Sequence, residues 1–270
     1  MRTINRELEP MPVVLDPAAT LTHAIAYRAC SSPNSVKKNV YGHTDVRNAL
    51  RRLFLEKCSL CEADASKDGV IEHFVPHCPT RAELAYDWMN LHWTCGNCNN
   101  RKRKKDYKEL RPGTDIVERT LLIDVTCPHS ERAEDMIWFD KHLKARPSIK
   151  FSTDRIVTLT TEFLNSSQTI SDRLTTSNEM GMFIAESGCL EEWRSIISIS
   201  PVEPCKRPNP VLTNKALQMA DRLYYLFLRE TNPFSTSMQT SLSDRMGIQT
   251  EDIKELGRRY RFLHNLPRPY

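Results

Sequence analysis

Two Cys-x-x-Cys pairs, Cys58-Ser59-Leu60-Cys61 and Cys95-Gly96-Asn97-Cys98, constrain this chain more than any other feature. Two cysteines separated by two residues form a tight knuckle that turns both sulfurs toward one point. Two knuckles supply the four thiolates of a closed tetrahedral zinc site. One pair alone would be weak, because redox dithiols share that spacing. A zinc ion with four protein ligands has no open position, so it braces structure and leaves chemistry to the residues around it. The chain has nine cysteines, an odd number, which fits a reducing cytoplasm better than a disulfide framework. Cys30, Cys78, Cys127, Cys189 and Cys205 read as plain thiols.

The residues between and after the knuckles carry reactive groups. Gly69-Val70-Ile71-Glu72-His73-Phe74-Val75-Pro76 reads as a short strand that stops near the proline. Asn99-Asn100-Arg101-Lys102 follows the second knuckle and reads as the opening of a helix. Strand and helix, tied by zinc, would bring a carboxylate, an imidazole and an amide oxygen close together. Carboxylate and carbonyl oxygens suit Mg²⁺ or Mn²⁺, and the histidine is free to act as a base. An isolated Glu-His pair in a strand is ordinarily surface decoration; the two knuckles, Asn90 and Asn99 give this one its meaning. His77 and His92 lack such a frame, so His77 reads as a solvent-facing or loop-supporting residue and His92 as a packing one.

The succession Cys-x-x-Cys, Glu72-His73-Phe74-x-Pro76, Trp88-x-Asn90-Leu91, Cys95-x-x-Cys98-Asn99-x-x-Lys102 resembles the HNH (ββα-metal) endonuclease superfamily. It is most similar to the HNH nuclease subunits of Septu anti-phage systems, and the motif match spans residues 58–102. The resemblance implies that His73 is the general base, that Glu72 and Asn99 hold a catalytic Mg²⁺ or Mn²⁺, and that Asn90 orients the base. Asn99 stands where many relatives have a final histidine, and Glu72 where many have Asp or His; both keep an oxygen ligand. The implied activity is phosphodiester hydrolysis of DNA or RNA, leaving a 5′-phosphate and a 3′-hydroxyl. The implied partner is an ABC/SMC-like ATPase of the same defence system, joined in some relatives by a retron reverse transcriptase and its nucleic acid.

Arg101-Lys102-Arg103-Lys104-Lys105 is the most basic segment. A charge run is usually a solvated helix face. This one leaves directly from the helix of the motif, which favours contact with a phosphate backbone over base readout. A non-catalytic zinc-knuckle module that binds nucleic acid or scaffolds a complex would explain the cysteines and the basic run equally well. It would leave Glu72, His73, Asn90 and Asn99 without a role.

The whole chain reads as α+β: a zinc-braced ββα-metal core with a small α/β extension and a C-terminal helical module. We expect an N-terminal arm and supporting helix over 1–57, the core over 58–111, the extension over 112–200, and a proline-rich linker and helical module over 201–270. Thr44 should cap the supporting helix and Thr250 the last one. Met136–Phe139 and Ile156–Leu159 read as strands, Thr161–Arg173 as a helix and 200–211 as the linker. Asp124, His129 and Asp140 lack ligand spacing and read as structural. With 40% hydrophobic and 27% charged residues, and no apolar run of membrane-spanning length, the chain is expected to be soluble and cytoplasmic.

Overall fold

A computed structural model of the chain describes residues 1–30, 35–126, 131–198 and 210–267. The architecture is α+β, mostly helical, with three separate two-stranded sheets among the described residues. It divides into two compact units, one of residues 1–138 and 145–166, the other of 139–144 and 167–270. The stretch 112–200, expected as one extension, is thus shared between them. No helix among the described residues is long and apolar enough to cross a membrane.

In the first unit, Asp16 caps helix α1 (Pro17–Ala29) by accepting from the Ala18 and Ala19 amides, with Pro17 at the first helical position. A short helix α2 (Lys38–Tyr41) precedes α3 (Thr44–Leu53). The expected cap shifts by one residue. His43, not Thr44, accepts the Asp45 amide through Nδ1, so Thr44 is the first helical residue. Val46, Ala49, Leu50 and Leu53 form the buried stripe of α3, which packs on β2. Beyond Phe54, Leu55 and Glu56 adopt positive φ, turning the chain sharply into the first knuckle.

Strand β1 (Val70–His73) pairs antiparallel with β2 (Leu91–Thr94), and β2 is buried throughout. The register sets Glu72 opposite His92 and His73 opposite Leu91. Helix α4 (Gly96–Lys102) begins two residues after β2 ends, with Cys95 as its cap. The hairpin β3 (Lys108–Leu110)–β4 (Val117–Thr120) follows, then a short helix α5 (Ala133–Met136) and strands β5 (Ile137–Phe139) and β6 (Ala145–Pro147).

The strand expected at Ile156–Leu159 is instead part of helix α6 (Arg155–Leu164). Asp154 caps it by accepting from the Ile156 and Val157 amides, and buried Val157, Thr160, Thr161, Phe163 and Leu164 recur at helical spacing. The cap and that burial override the strand preference of the β-branched run. Asn165 ends α6 where one continuous helix was expected: its amide bonds the Thr161 and Glu162 carbonyls while its side chain bonds both backbone groups of Ala145.

The second unit is helical: α7 (Ser167–Ser187), α8 (Leu190–Ser198), α9 (Pro210–Leu223) running into a π-helical turn at Tyr224–Leu228, α10 (Ser235–Met246) and α11 (Thr250–Leu263). Its core includes Ile184, Trp193, Leu217, Leu223, Met238, Leu242, Ile253 and Leu256. Helices α9 and α11 meet closely at Gly257, where an added Cβ would lie 3.0 Å from the Asp221 Cα, and Arg261 grips Asp221 through two nitrogens at 2.6 and 3.0 Å. Gln249, not Thr250, caps α11 and forms a reciprocal box with Asp252. Of the expected linker, residues 200–209 lie outside the described residues, as do Cys127, His129 and Cys205, and Pro210 already begins α9.

Candidate metal centre and active site

The two knuckles meet. The sulfurs of Cys58, Cys61, Cys95 and Cys98 all lie within 4.8 Å of one another, and the residues are buried. Tetrahedral zinc at a Zn–S distance of ~2.3 Å separates its sulfurs by roughly 3.8 Å; Cys61 and Cys95 stand 3.9 Å apart. The set fits, and the four cysteines could hold a zinc ion. The backbone explains the convergence. Glu62 takes positive φ as its amide returns to the Cys58 carbonyl, Ser59 N–H donates to the Trp93 carbonyl at the end of β2, and the Cys98 amide points at the Cys95 sulfur. Four thiols this close cannot all ionise unaided. Hydrogen bonding with Cys58 and the other thiols, together with burial, pushes Cys61 and Cys98 well up, whereas donation from Cys58, Cys61 and Cys98 holds Cys95 down as a thiolate at the start of α4.

Glu72, on β1, places Oε1 2.6 Å from the Nζ of Lys102 on α4. Lys102 is 2% exposed and also donates to the His73 and Phe74 carbonyls, at 2.8 Å each. Asn99 precedes it by one helical turn, and its Oδ1 is buried without a hydrogen-bond partner. A buried amide oxygen left unpaired costs about 1–3 kcal/mol unless something occupies it. Glu72 and Asn99 therefore sit on neighbouring elements, β1 and α4, and both carry hard oxygen donors.

His73 is the last residue of β1 and is buried. Its Nε2 lies 3.0 Å from the Ala85 carbonyl; a carbonyl only accepts, so the neutral ring carries its proton on Nε2 and Nδ1 is the basic nitrogen. Tyr41 and His77 pack edge-on against the ring at centroid distances of 4.8 and 4.4 Å. Burial, then the neighbouring His77, pulls the imidazole down to about 3. Among the described residues no hydrogen bond joins His73 to Glu72 or Asn99. Lys102, whose ammonium lies 2.6 Å from Glu72, also lowers His73 slightly, after burial and His77.

Asn90 is buried, and its side chain bonds the backbone of Val75 and Leu84. Its Oδ1 accepts the Val75 amide at 2.7 Å, and its Nδ2 donates to the Val75 and Leu84 carbonyls at 2.9 Å each. It thereby fixes the loop that leads from His73 to Ala85, the partner of the imidazole. The basic run divides. Arg103, Lys104 and Lys105 are exposed. Arg101 turns inward, donating to the Phe163 carbonyl at 2.6 Å with its guanidinium 4.4 Å from that ring, and Lys102 is buried as described. Of the expected phosphate contacts, Lys102 is thus bonded inside the fold and half-buried Arg101 bonds the Phe163 carbonyl.

Sequence reasoning missed three residues. His77 is half-buried against His73, and its Nδ1 lies 2.8 Å from the Tyr27 hydroxyl. Tyr41 comes from α2, distant in sequence, which no local pattern reveals. Arg6, from the N-terminal arm, is buried and donates to the Trp88 and Leu91 carbonyls at 2.8 and 2.6 Å, bracing the turn that carries Asn90; burial pulls it down to about 10. The His92 imidazole, expected to pack, is fully buried against Phe74 and sits 3.3 Å from Asp124. Burial pushes the Asp124 carboxyl up, but His92 and the Thr126 donors outweigh it and hold it well below the usual range. In comparisons with known proteins, the chain matches no protein-family model, no curated protein and no solved structure.

Proposed function

We propose that the first unit is a zinc-braced HNH-type endonuclease that hydrolyses phosphodiester bonds in nucleic acid with the help of Mg²⁺ or Mn²⁺. The observation that carries this reading is the buried, unpartnered Oδ1 of Asn99 on the helix that faces Glu72. Support also comes from the order β1, β2, α4 around four clustered cysteines. Glu72 and Asn99 would hold the catalytic ion, leaving its other positions to water and phosphate, as Mg²⁺ prefers. Bound there, the ion supplies neutralisation of phosphate charge and of the leaving 3′-oxygen. Nδ1 of His73 accepts the proton of the attacking water, since Nε2–H is committed to Ala85. General-base help of this kind contributes about 10²–10⁴-fold. Arg103, Lys104 and Lys105 hold the backbone of the substrate without reading bases. The resemblance of the motif further suggests a defence effector controlled by a partner ABC/SMC-like ATPase.

A second reading, a non-catalytic zinc module that binds nucleic acid or scaffolds a complex, is favoured by one observation: His73 is only 9% exposed, enclosed by Tyr41 and His77. Cleavage of DNA and RNA with Mg²⁺ or Mn²⁺, by wild type and His73→Ala, each with and without an ABC/SMC-like ATPase of a Septu system, separates the two. The nuclease reading expects cleavage that falls by about 10²–10⁴-fold in His73→Ala with zinc content unchanged. No cleavage by zinc-loaded wild type with the ATPase present would leave the binding module.

A further inference from the structure

Lys102 reads in the sequence as one more phosphate contact, yet its ammonium is engaged inside the fold. Nζ forms an ion pair with Glu72 Oε1 at 2.6 Å and donates to the carbonyls of His73 and Phe74 at 2.8 Å each, so three acceptors surround the ammonium. The stem runs inside the fold, with Nζ 5.8 Å from the Phe74 ring, and the Thr120 hydroxyl donates to the same Phe74 carbonyl from β4. The three acceptors are one side chain and two consecutive main-chain groups at the end of β1. One residue at the end of α4 therefore fixes the strand that carries Glu72 and His73 to the helix that carries Asn99.

The choice of partners on Glu72 matters. Lys102 approaches Glu72 through Oε1, and Oδ1 of Asn99 is buried without a hydrogen-bond partner. A carboxylate whose second oxygen is anchored presents its first in a fixed direction, the way outer hydrogen bonds orient metal ligands generally. We infer that Lys102 is a positioning residue: it anchors Glu72 through Oε1 and clamps the end of β1 to α4, so that Glu72 Oε2 and Asn99 Oδ1 face one divalent ion. This inference rests on the metal-dependent reading above and gives that reading a residue that touches neither substrate nor ion.

The test uses the full, zinc-loaded chain and Mn²⁺ as probe, with binding followed by electron paramagnetic resonance, alongside zinc content and affinity for a DNA duplex without added Mn²⁺. Lys102→Met keeps the apolar stem and removes the ammonium. We expect Mn²⁺ affinity to fall by about 10–100-fold, the usual effect of losing an outer hydrogen bond to a ligand, with zinc content and DNA affinity kept. Unchanged Mn²⁺ affinity would overturn the inference. If DNA affinity also weakened uniformly and its salt slope dropped by about one, Lys102 would be a phosphate contact after all. Wild type that binds no Mn²⁺ beyond its zinc site would overturn the metal-dependent reading and the inference with it. Should Lys102→Met lose zinc, Lys102→Gln, whose amide can still bond a strand carbonyl, carries the same comparison with the same two outcomes.

Discussion

His73 has one ring nitrogen committed to Ala85 and two aromatic neighbours that keep water from its faces. That setting has a consequence for stability. An unfolded chain takes up a proton on this imidazole near its ordinary value of about 6.5, whereas the folded one refuses it until about 3. Between those values the unfolded state binds more protons, so stability falls as pH drops from 6.5 toward 3 and is unaffected above 7. The full loss is on the order of a few kcal/mol. Urea midpoints of zinc-loaded wild type and His73→Asn across that window should diverge, with the variant flatter; parallel curves would contradict the burial of the imidazole. Asn90 gives a second residue-level test. Asn90→Ala leaves the Val75 amide and the Val75 and Leu84 carbonyls without their partner, at about 1–3 kcal/mol for a stranded buried group. The melting temperature should drop accordingly, and faster amide exchange should be confined to residues 74–85. The resemblance of the motif singled out Glu72, His73, Asn90 and Asn99, and they lie on β1, in the turn before β2 and on α4. The sequence could not place Tyr41 or Arg6, whose roles arise only when separate segments fold against the hairpin, nor show that Arg101 and Lys102 turn inward, since charge pattern alone favours solvent.

The hairpin β1–β2 and helix α4 depend on a close approach just before β1. A Cβ at Gly69 would overlap the Trp93 indole and the Ala65 carbonyl, while Trp93 Nε1 donates to that same carbonyl at 3.1 Å. Gly69→Ala should therefore destabilise the first unit by about 1–3 kcal/mol, as overpacking does, readable as a lower urea midpoint. An unchanged midpoint would mean that Trp93 can shift, and the ring would not be the fixed wall that the hairpin packs on. Elements were legible where pattern and caps agree. Helix α3 follows its apolar stripe, and β1 ends before Pro76 as the proline demands. Ile156–Leu159 misled because a β-branched run looks like a strand, while the deciding signal, Asp154 one residue before the helix, is short and polar. The break at Asn165 was hidden for the opposite reason: its side chain is fixed by Ala145, twenty positions away.

At the scale of the molecule, the two units draw on different sources of order. The first unit arranges its hairpin and α4 around four buried thiols, and such sites couple metal binding to folding because the unfolded chain has no preformed ligand set. The second unit holds a separate helical core around Trp193, Leu223, Met238 and Leu256, and no cysteine cluster lies among its described residues. Stability need not be uniform across such a chain. Removing zinc from the 270-residue chain with a chelator should therefore abolish amide-exchange protection in α3, β1, β2 and α4 while leaving α9 and α11 protected. Cys58→Ser or Cys95→Ser should reproduce the pattern without chelator. Simultaneous loss of protection in α9 and α11 would show that the units fold as one cooperative body. Retained protection in β2 and α4 after complete zinc loss would show that the apolar packing of Leu91, Trp93 and α3 holds the hairpin by itself, leaving the metal to order only the knuckles.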